Sequence, residues 1–242
     1  MSAVFVLIAK VCFWSSLCAV LLLFPGYPLL LILRKQLFRA KKTQSLQTDY
    51  PGTPHVSIIL AARNAAALVK PKILNCLALD YPLERLEMVL VSDGSSDSTL
   101  KEALAFNLTV LRTVELEKHM GKHAALNRAV EISSGEALLF TDMDAELEPD
   151  SLQLMLQHLS DPDVGGVCGR RVLDKNNLGA DSGQTKYAVL DAGLKKLESC
   201  FGSISSNDGK IYIMRRELFS RVPEGVTDDL YQSLMLIKQG WK

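Results

Sequence analysis

The sequence has no excess of charge of either sign. Its 242 residues include 27 lysines and arginines and 27 aspartates and glutamates, so the formal net charge at pH 7 is zero. Proteins that bind nucleic acid through its phosphates usually carry a basic surplus. The composition therefore argues against a nucleic-acid partner. The length suits one good-sized domain with an appendage.

The sequence also lacks paired cysteines. It has five of them, and no two have the spacing of a zinc site or of a thioredoxin-like redox site. A cytosolic domain would keep such residues reduced. We interpret them as small apolar residues; they are Cys12, Cys18, Cys76, Cys168 and Cys200.

Charge is missing from a run near the amino terminus. No charged side chain occurs from Val11 to Leu33, and this run is long enough to cross a bilayer core of about 30 Å. No basic segment precedes the run and no small-x-small cleavage site follows it, which disfavours a cleaved signal peptide. Basic residues follow the run and only Lys10 precedes it, which predicts a cytosolic body; they are Arg34, Lys35, Arg39, Lys41 and Lys42.

Two prolines interrupt this apolar run. Pro25 and Pro28 are expected to kink or end the helix. The segment 29–42 would then run partly along the membrane interface. We therefore expect an anchor over residues 1–42, a polar linker over 43–54 and a soluble domain over 55–242.

After residue 54, short apolar runs typical of buried strands alternate with stretches of helical periodicity. This alternation predicts an α/β domain with a mostly parallel sheet flanked by helices. The expected strands cover residues 56–62, 88–92, 108–111, 137–141, 164–168 and 210–214. The expected helices cover residues 65–77, 123–133, 149–159, 186–198 and 227–240, and a further helix is expected to start near Thr99.

The first strand is not followed by Gly-x-Gly-x-x-Gly. Residues 61–66 read Ala-Ala-Arg-Asn-Ala-Ala. This loop lacks the glycines that let a backbone approach a dinucleotide pyrophosphate. A dinucleotide-dependent oxidoreductase is therefore excluded.

The apolar run 137–141 leads directly into two carboxylates, Asp142 and Asp144. Residues two apart in an extended segment point to the same side, so both carboxylates are expected to converge on one object. At the carboxyl end of a strand that object lies in the ligand-binding crevice of an open α/β sheet. Hard oxygen ligands suit Mg²⁺ or Mn²⁺ held with substrate phosphates. Taken alone, Asp-x-Asp more often marks a solvated acidic loop than a metal site.

Five stretches together resemble the family-two inverting glycosyltransferases of the GT-A fold, over about residues 54–242. Each motif is weak alone, but they occur in the family's order and spacing. The stretches are the opening strand 56–64, the Asp-Gly-Ser-x-Asp-x-Thr turn of 93–99, the Gly-Lys-x-x-Ala-Leu-Asn segment of 121–127, Asp142-Met143-Asp144, and Thr227-Asp228-Asp229 in place of Thr-Glu-Asp.

The resemblance implies a nucleoside-diphosphate sugar as donor and Mg²⁺ or Mn²⁺ as cofactor. In this family the ion bridges the diphosphate and the residue matching Asp144. Asp142 would hold metal, ribose or sugar. Asp93 would contact the base and ribose, with a turn carboxylate as the alternative. Arg63 and Lys122 would complete the donor site, Lys122 reaching the diphosphate or the base edge.

The resemblance also assigns the catalytic carboxylates. Asp229 would deprotonate the acceptor hydroxyl, with Asp228 beside it. Both are equally expected as acidic residues at a helix amino terminus, where the dipole favours them, and the two interpretations are compatible. The region of Asn207-Asp208-Gly209 would line the acceptor side, whereas Arg215 and Arg216 are interpreted as solvated charges. His119 and His123 are interpreted as surface or phosphate-facing residues.

The sequence departs from the family's membrane polymerases because no Gln-x-x-Arg-Trp motif follows Asp229 before Gly240-Trp241-Lys242. We expect a membrane-anchored hexosyltransferase with a cytoplasmic catalytic domain at the cell membrane. It would act on a saccharide or lipid-linked hydroxyl acceptor, of polysaccharide or glycolipid. The alternative is a catalytically weak, truncated homologue that binds donor as a partner subunit. A partner chain would then complete the acceptor site.

Overall fold

The computed structural model of the chain describes residues 3–37, 52–170, 183–204, 207 and 209–242. The chain divides into two units, Met1–Gln44 with Gly179–Gly202, and Ser45–Leu178 with Ser203–Lys242. Most of the expected linker, residues 43–51, lies outside the described residues, as do Arg39, Lys41 and Lys42.

The first unit consists of helices. Helix α1 (Ala3–Leu21) continues through a π-helical segment (Leu22–Gly26) into α2 (Tyr27–Leu37). Together they make the helix Val4–Leu37, the one helix among the described residues that is long and apolar enough to cross a membrane. Helix α7 (Gly183–Ser199) belongs to this unit, and the Tyr27 hydroxyl donates to Glu198 Oε1 at 2.6 Å.

The helix does not end at the prolines. Pro25 lies inside the π-helical segment, and the Tyr27 N–H donates to the Leu22 carbonyl five residues back. A π turn is wider than an α turn and accommodates an interruption in the regular hydrogen-bond pattern. The expectation that the helix ends there is therefore wrong, and residues 29–37 continue it as α2.

The second unit is built on a six-stranded mixed sheet in the order β3-β2-β1-β4-β6-β5. Neighbouring strands are parallel from β3 to β4, and β6 is antiparallel to both β4 and β5. The predicted mostly parallel sheet is confirmed. The strands are β1 (Val56–Ala62), β2 (Leu86–Asp93), β3 (Leu111–Leu116), β4 (Ala137–Thr141), β5 (Gly166–Cys168) and β6 (Ile211–Arg215).

Helices cover both faces of this sheet, because the central strands have apolar side chains on both sides. Ile58 and Leu60 of β1 belong to one apolar cluster with Ile73 and Leu152, whereas Ile59 belongs to a second cluster behind the sheet. The helices of this unit are α3 (Ala66–Leu77), α4 (Thr99–Leu104), α5 (Lys122–Ile132), α6 (Ser151–Leu159) and α8 (Asp228–Lys238).

The third strand is the element whose predicted position is wrong. It was expected at 108–111 but begins at Leu111, where the Leu111 N–H donates to the Leu108 carbonyl in a turn. β3 is the edge strand and is only half buried. Its polar residues, such as Arg112 and Glu115, interrupt the apolar run by which buried strands are recognised.

Candidate functional site

The topology brings five chain segments to one edge of the sheet. Parallel strands end at the same edge, so β2 and β4 deliver Asp93 and the Asp142–Asp144 turn to it. β6 runs in the opposite direction and therefore begins there, directly after Lys210. The first residues of α5 and α8 add Lys122 and the Asp228-Asp229 pair; ionic contacts connect Lys122 to Asp142 and Asp228.

Asp142 and Asp144 meet at one cationic atom. Lys210 Nζ lies 3.3 Å from Asp142 Oδ2, and 2.7 and 2.8 Å from the two oxygens of Asp144. The extended geometry expected for this segment is wrong. β4 ends at Thr141 and a turn follows, in which the Ala145 N–H donates to the Asp142 carbonyl. The turn, and not strand alternation, makes the two carboxylates converge.

A second lysine joins Asp142 to Asp228. Lys122 Nζ lies 3.0 Å from Asp142 Oδ1 and 3.2 Å from Asp228 Oδ1. Burial alone would lower the pKa of Lys122, but the charges of Asp228 and Asp142 outweigh it and raise that pKa. The Tyr212 hydroxyl donates to the other oxygen of Asp228 at 3.2 Å. Asp228 is therefore a buried carboxylate fixed from two sides.

Asp229 has a different setting. Its Oδ1 accepts the Leu230 N–H at 2.7 Å, and its backbone carbonyl accepts Asn207 Nδ2 at 3.0 Å. Gly209 lies so close that a Cβ there would collide with Asp229 Oδ2. Among the described residues Asp229 has no ion pair within 4.0 Å. Its assignment as general base stays a prediction, and Asp208 lies outside the described residues.

Asp93 is an internal anchor. The residue is 3 % exposed, and its carboxylate accepts the Met120 and Gly121 N–H groups at 2.7 and 2.9 Å and meets His119 Nδ1 at 2.7 Å. Burial would raise the pKa of Asp93, but the backbone N–H of Met120, the His119 side chain and the Gly121 N–H lower it. Asp93 thus ties the basic loop, residues 118–122, to the end of β2.

His119 was predicted to be a surface or phosphate-facing residue, and the structure adds two side-chain partners that the sequence did not indicate. Its Nε2 lies 3.1 Å from an Arg63 nitrogen, and a guanidinium can only donate. Nε2 must therefore accept, so the proton of the neutral ring lies on Nδ1 and is donated to Asp93. A carboxylate, an imidazole and a guanidinium form one chain, which orients Arg63.

Arg215 and Arg216 are not solvated charges. Arg216 donates to the carbonyls of Val130 and Ser133 at 2.7 Å, and Arg215 donates to those of Val164 and Leu159 at 2.9 and 2.8 Å. Because β6 is antiparallel, its end lies at the sheet edge opposite the site. The interpretation as solvated residues is therefore wrong.

Gly94 holds the turn after β2 against the basic loop. Its φ is +57°, and a Cβ there would collide with the backbone of Lys118 and His119. We expect Gly94→Ala to lower the free energy of unfolding by about 2 to 5 kcal/mol, from backbone strain plus the collision. It should also displace the loop that Asp93 holds. Urea unfolding measures the first effect.

Gly225→Ala is the matched control for Gly94→Ala. Gly225 has φ +75° but no neighbour within 4 Å of the added Cβ. Its replacement should therefore lower the free energy of unfolding by about 1 to 2 kcal/mol, through strain alone. Equal losses in the two variants would contradict the close approach of Gly94 to the loop.

The carboxylates of the site do not form a preassembled metal cage. In the described part of the chain, no group of three or more His, Cys, Asp and Glu side chains is arranged to hold a metal ion. Asp142 and Asp144 offer two hard oxygen donors facing one cation. Such a pair suits an ion whose remaining ligands come from phosphates and water.

The mixed six-stranded sheet flanked by helices is GT-A-like, and a family model identifies the family. The family model "Glycosyl transferase family 2" matches residues 57–222. This is more than half of the chain, which therefore belongs to glycosyl transferase family 2.

Curated relatives include poly-beta-1,6-N-acetyl-D-glucosamine synthases. The Staphylococcus epidermidis protein is 24% identical over 200 residues, covering 81% of this chain and 47% of the relative. The protein of Staphylococcus aureus strain COL is 25% identical over 199 residues, covering 77% of this chain and 47% of the relative. The chain thus spans about half the length of these relatives.

Solved structures agree on the fold. The mannosyltransferase PcManGT from Pyrobaculum calidifontis, in complex with GDP-Man and Mn²⁺, has a TM-score of 0.73 and 28% identity, covering 93% of this chain and 64% of that one. S. aureus TarS 1-349 has a TM-score of 0.54 and 19% identity, covering 74% of this chain and 54% of that one. At that identity the second likeness concerns the fold alone.

Proposed function

We propose that this chain is a metal-dependent, inverting hexosyltransferase. It moves a sugar from a nucleoside-diphosphate sugar to a hydroxyl of a saccharide or lipid-linked acceptor. The observation that carries the proposal is the convergence of Asp142 and Asp144 on a single cationic atom at the ligand-binding edge of the sheet. PcManGT, named with GDP-Man and Mn²⁺, supports both donor class and ion.

Asp142 and Asp144 are the proposed holders of Mg²⁺ or Mn²⁺. The Lys210 ammonium stands where a cation suits both carboxylates. When bound, the ion supplies charge neutralisation for the diphosphate leaving group. Lys210 and Lys122, whose side chains are 31% and 47% exposed, can then turn from the carboxylates to the phosphate oxygens.

The proposed donor site extends along the basic loop. The carboxylate oxygens of Asp93 already bind His119 and two N–H groups of the basic loop. Asp93 therefore contributes to the donor site by holding this loop in place. Arg63, oriented by His119, is the side chain of this group that is left to face the base or ribose. Lys122, at the first turn of α5, faces the diphosphate.

The proposed base is Asp229. Inversion needs one carboxylate to take the acceptor proton as the hydroxyl attacks. Asp228 is buried and its two oxygens face Lys122 and Tyr212, so it is poorly placed to accept a further proton. Asp229 has no cationic partner among the described residues, and it lies beside Asn207 and Gly209.

We further propose that the helix Val4–Leu37 anchors the chain in the cell membrane, with the catalytic domain on the cytoplasmic side. Its apolar side chains are mostly exposed, and the basic residues follow the apolar run. The relatives' assignment to polymer synthesis supports a polysaccharide or glycolipid acceptor.

A donor screen tests the proposal. The full chain in detergent is incubated with Mn²⁺ and each of a set of UDP- and GDP-sugars, including UDP-N-acetylglucosamine and GDP-mannose. We expect one donor to release nucleoside diphosphate, and chelation with EDTA to stop the release. Release that persists in EDTA would contradict metal dependence. No binding of any nucleotide by the folded chain would contradict the donor class.

A further inference from the structure

Lys72 is a charged residue inside the core. It lies on α3, is 2% exposed, and is one of the largest fully buried side chains. Burying an ammonium is unfavourable unless hydrogen bonds and nearby charge compensate for the lost water. Burial indeed lowers the pKa of Lys72, while the negative charges of Asp142 and Asp144 act in the opposite direction.

The side chain of Lys72 donates hydrogen bonds at both ends of the Asp142–Asp144 turn. Its Nζ donates to Thr141 Oγ1 at 2.9 Å and to the Ala145 carbonyl at 2.6 Å. Thr141 is the last residue of β4 and is 5% exposed. One ammonium thus connects the residue before Asp142 to the residue after Asp144.

One turn further along α3, Asn75 extends this support. Its Nδ2 donates to the Leu147 carbonyl at 2.8 Å, and its Oδ1 accepts the Leu147 N–H at 2.9 Å. Residues three apart on a helix lie on the same face. Lys72 and Asn75 therefore hold the segment 141–147 against α3 at three points.

Lys72 and Lys210 both lie near the two aspartates, but only Lys72 is fixed in position. Asp142 and Asp144 repel each other, and Lys210 offsets this only while it stays between them. The side chain of Lys210 is 31% exposed, whereas that of Lys72 is enclosed. When Lys210 leaves for a phosphate, Lys72 stays behind the turn, because its Nζ is enclosed and hydrogen-bonded to Thr141 and Ala145. Lys72 also helps to lower the pKa of Asp144, after the larger effect of Lys210.

We propose that Lys72 is a positioning residue that holds the Asp142–Asp144 turn preformed for a metal-bound nucleotide. The inference rests on the proposed function for the metal and nucleotide, but the ordering of the turn is a property of the metal-free chain. Lys72 touches neither substrate nor ion.

The test compares Lys72→Met with Ile73→Val in the full chain in detergent. Ile73 is also fully buried on α3, and its replacement shortens an apolar side chain while keeping the hydrogen bonds from Lys72 and Asn75 to the segment 141–147. Amide hydrogen exchange in metal-free protein should become at least tenfold faster over residues 142–147 in Lys72→Met alone. Mn²⁺-supported binding of UDP or GDP should weaken by about 10- to 100-fold, the usual effect of losing an outer-shell partner. Ile73→Val should change neither.

Two further variants keep the test decisive if Lys72→Met does not fold. Thr141→Val removes one acceptor and should give the same effects at a smaller size, while Thr141→Ser keeps the hydroxyl and should behave as the unmodified chain. Unchanged exchange in both Lys72→Met and Thr141→Val would overturn the inference. So would equal effects in Thr141→Val and Thr141→Ser. If the unmodified chain binds no nucleotide with Mn²⁺, the proposed function fails. The hydrogen-exchange data still decide whether Lys72 orders the turn.

Discussion

Replacing Asp144 by alanine is expected to abolish Mn²⁺-supported nucleotide binding. Asp144 places both carboxylate oxygens on Lys210 Nζ and is the more exposed of the two aspartates, with its side chain 59% exposed. Loss of an outer-shell partner alone weakens the affinity for a metal by about 10- to 100-fold. Loss of a direct ligand should therefore weaken nucleotide binding by more than about 10²-fold. Calorimetry with UDP or GDP and Mn²⁺ measures it.

Asp142→Ala should be milder, because Asp142 divides its oxygens between Lys122 and Lys210. Glu146→Gln is the matched control. Glu146 follows the turn closely and is exposed, so removing its charge changes the local field without removing a ligand. Unchanged nucleotide affinity in Asp144→Ala with Mn²⁺ present would refute the metal assignment. An equal loss of nucleotide affinity in Glu146→Gln would also refute it, because a long-range effect of charge would then explain the loss.

Asp229→Asn is expected to separate binding from transfer. The substitution keeps the shape of the side chain and removes its basicity. Sugar transfer should therefore fall by about 10²-fold or more, while the affinity for Mn²⁺ and nucleotide stays the same. The measurement combines calorimetry with the rate of product formation at saturating donor. The acceptor bond to Leu230 N–H survives the substitution, so the helix start should remain intact.

Asp228→Asn provides the comparison, because it lies next in the chain and at the same helix start. It is ion-paired with Lys122, so its neutralisation should free Lys122 and alter donor affinity, with a milder effect on transfer. The reverse pattern, with Asp228→Asn inactive and Asp229→Asn active, would move the general base to Asp228. It would then show that burial and the Lys122 contact do not prevent proton acceptance.

The parts of the fold that were predictable are those where a single local pattern decides the structure. β1 and β4 are continuous apolar runs and lie where they were expected. α5 shows helical periodicity and begins directly after Gly121. β3 was misplaced because an edge strand needs no continuous apolar run. The prolines predicted a kink or an end of the helix, and of these two the end is wrong, because the helix continues through the π-helical segment at Pro25.

The residues of the site also divide into those that a local motif predicts and those that only the fold brings together. The motifs indicated Asp142, Asp144 and Lys122 before any geometry was known. No motif pointed to Lys210 or Lys72, because each is a lone side chain in its segment, and the partners of His119 were not predictable from its place in the loop. Their roles depend on which segments the sheet brings together. Asp93 was recognised by its motif, but its burial and three hydrogen bonds follow only from the packing of the basic loop.

The reversed direction of β6 has a consequence for how enzymes of this shape diversify. β5 runs parallel to β4 and ends at the site edge with Cys168, and β6 begins at the same edge with Ile211. The connection between these two strands therefore leaves and re-enters the sheet beside the crevice. Its length and sequence can change without altering the register of any strand. Under the proposed function, substrate preference can evolve in the part of this connection ahead of Lys210, while the carboxylates, Lys122 and the core stay constant.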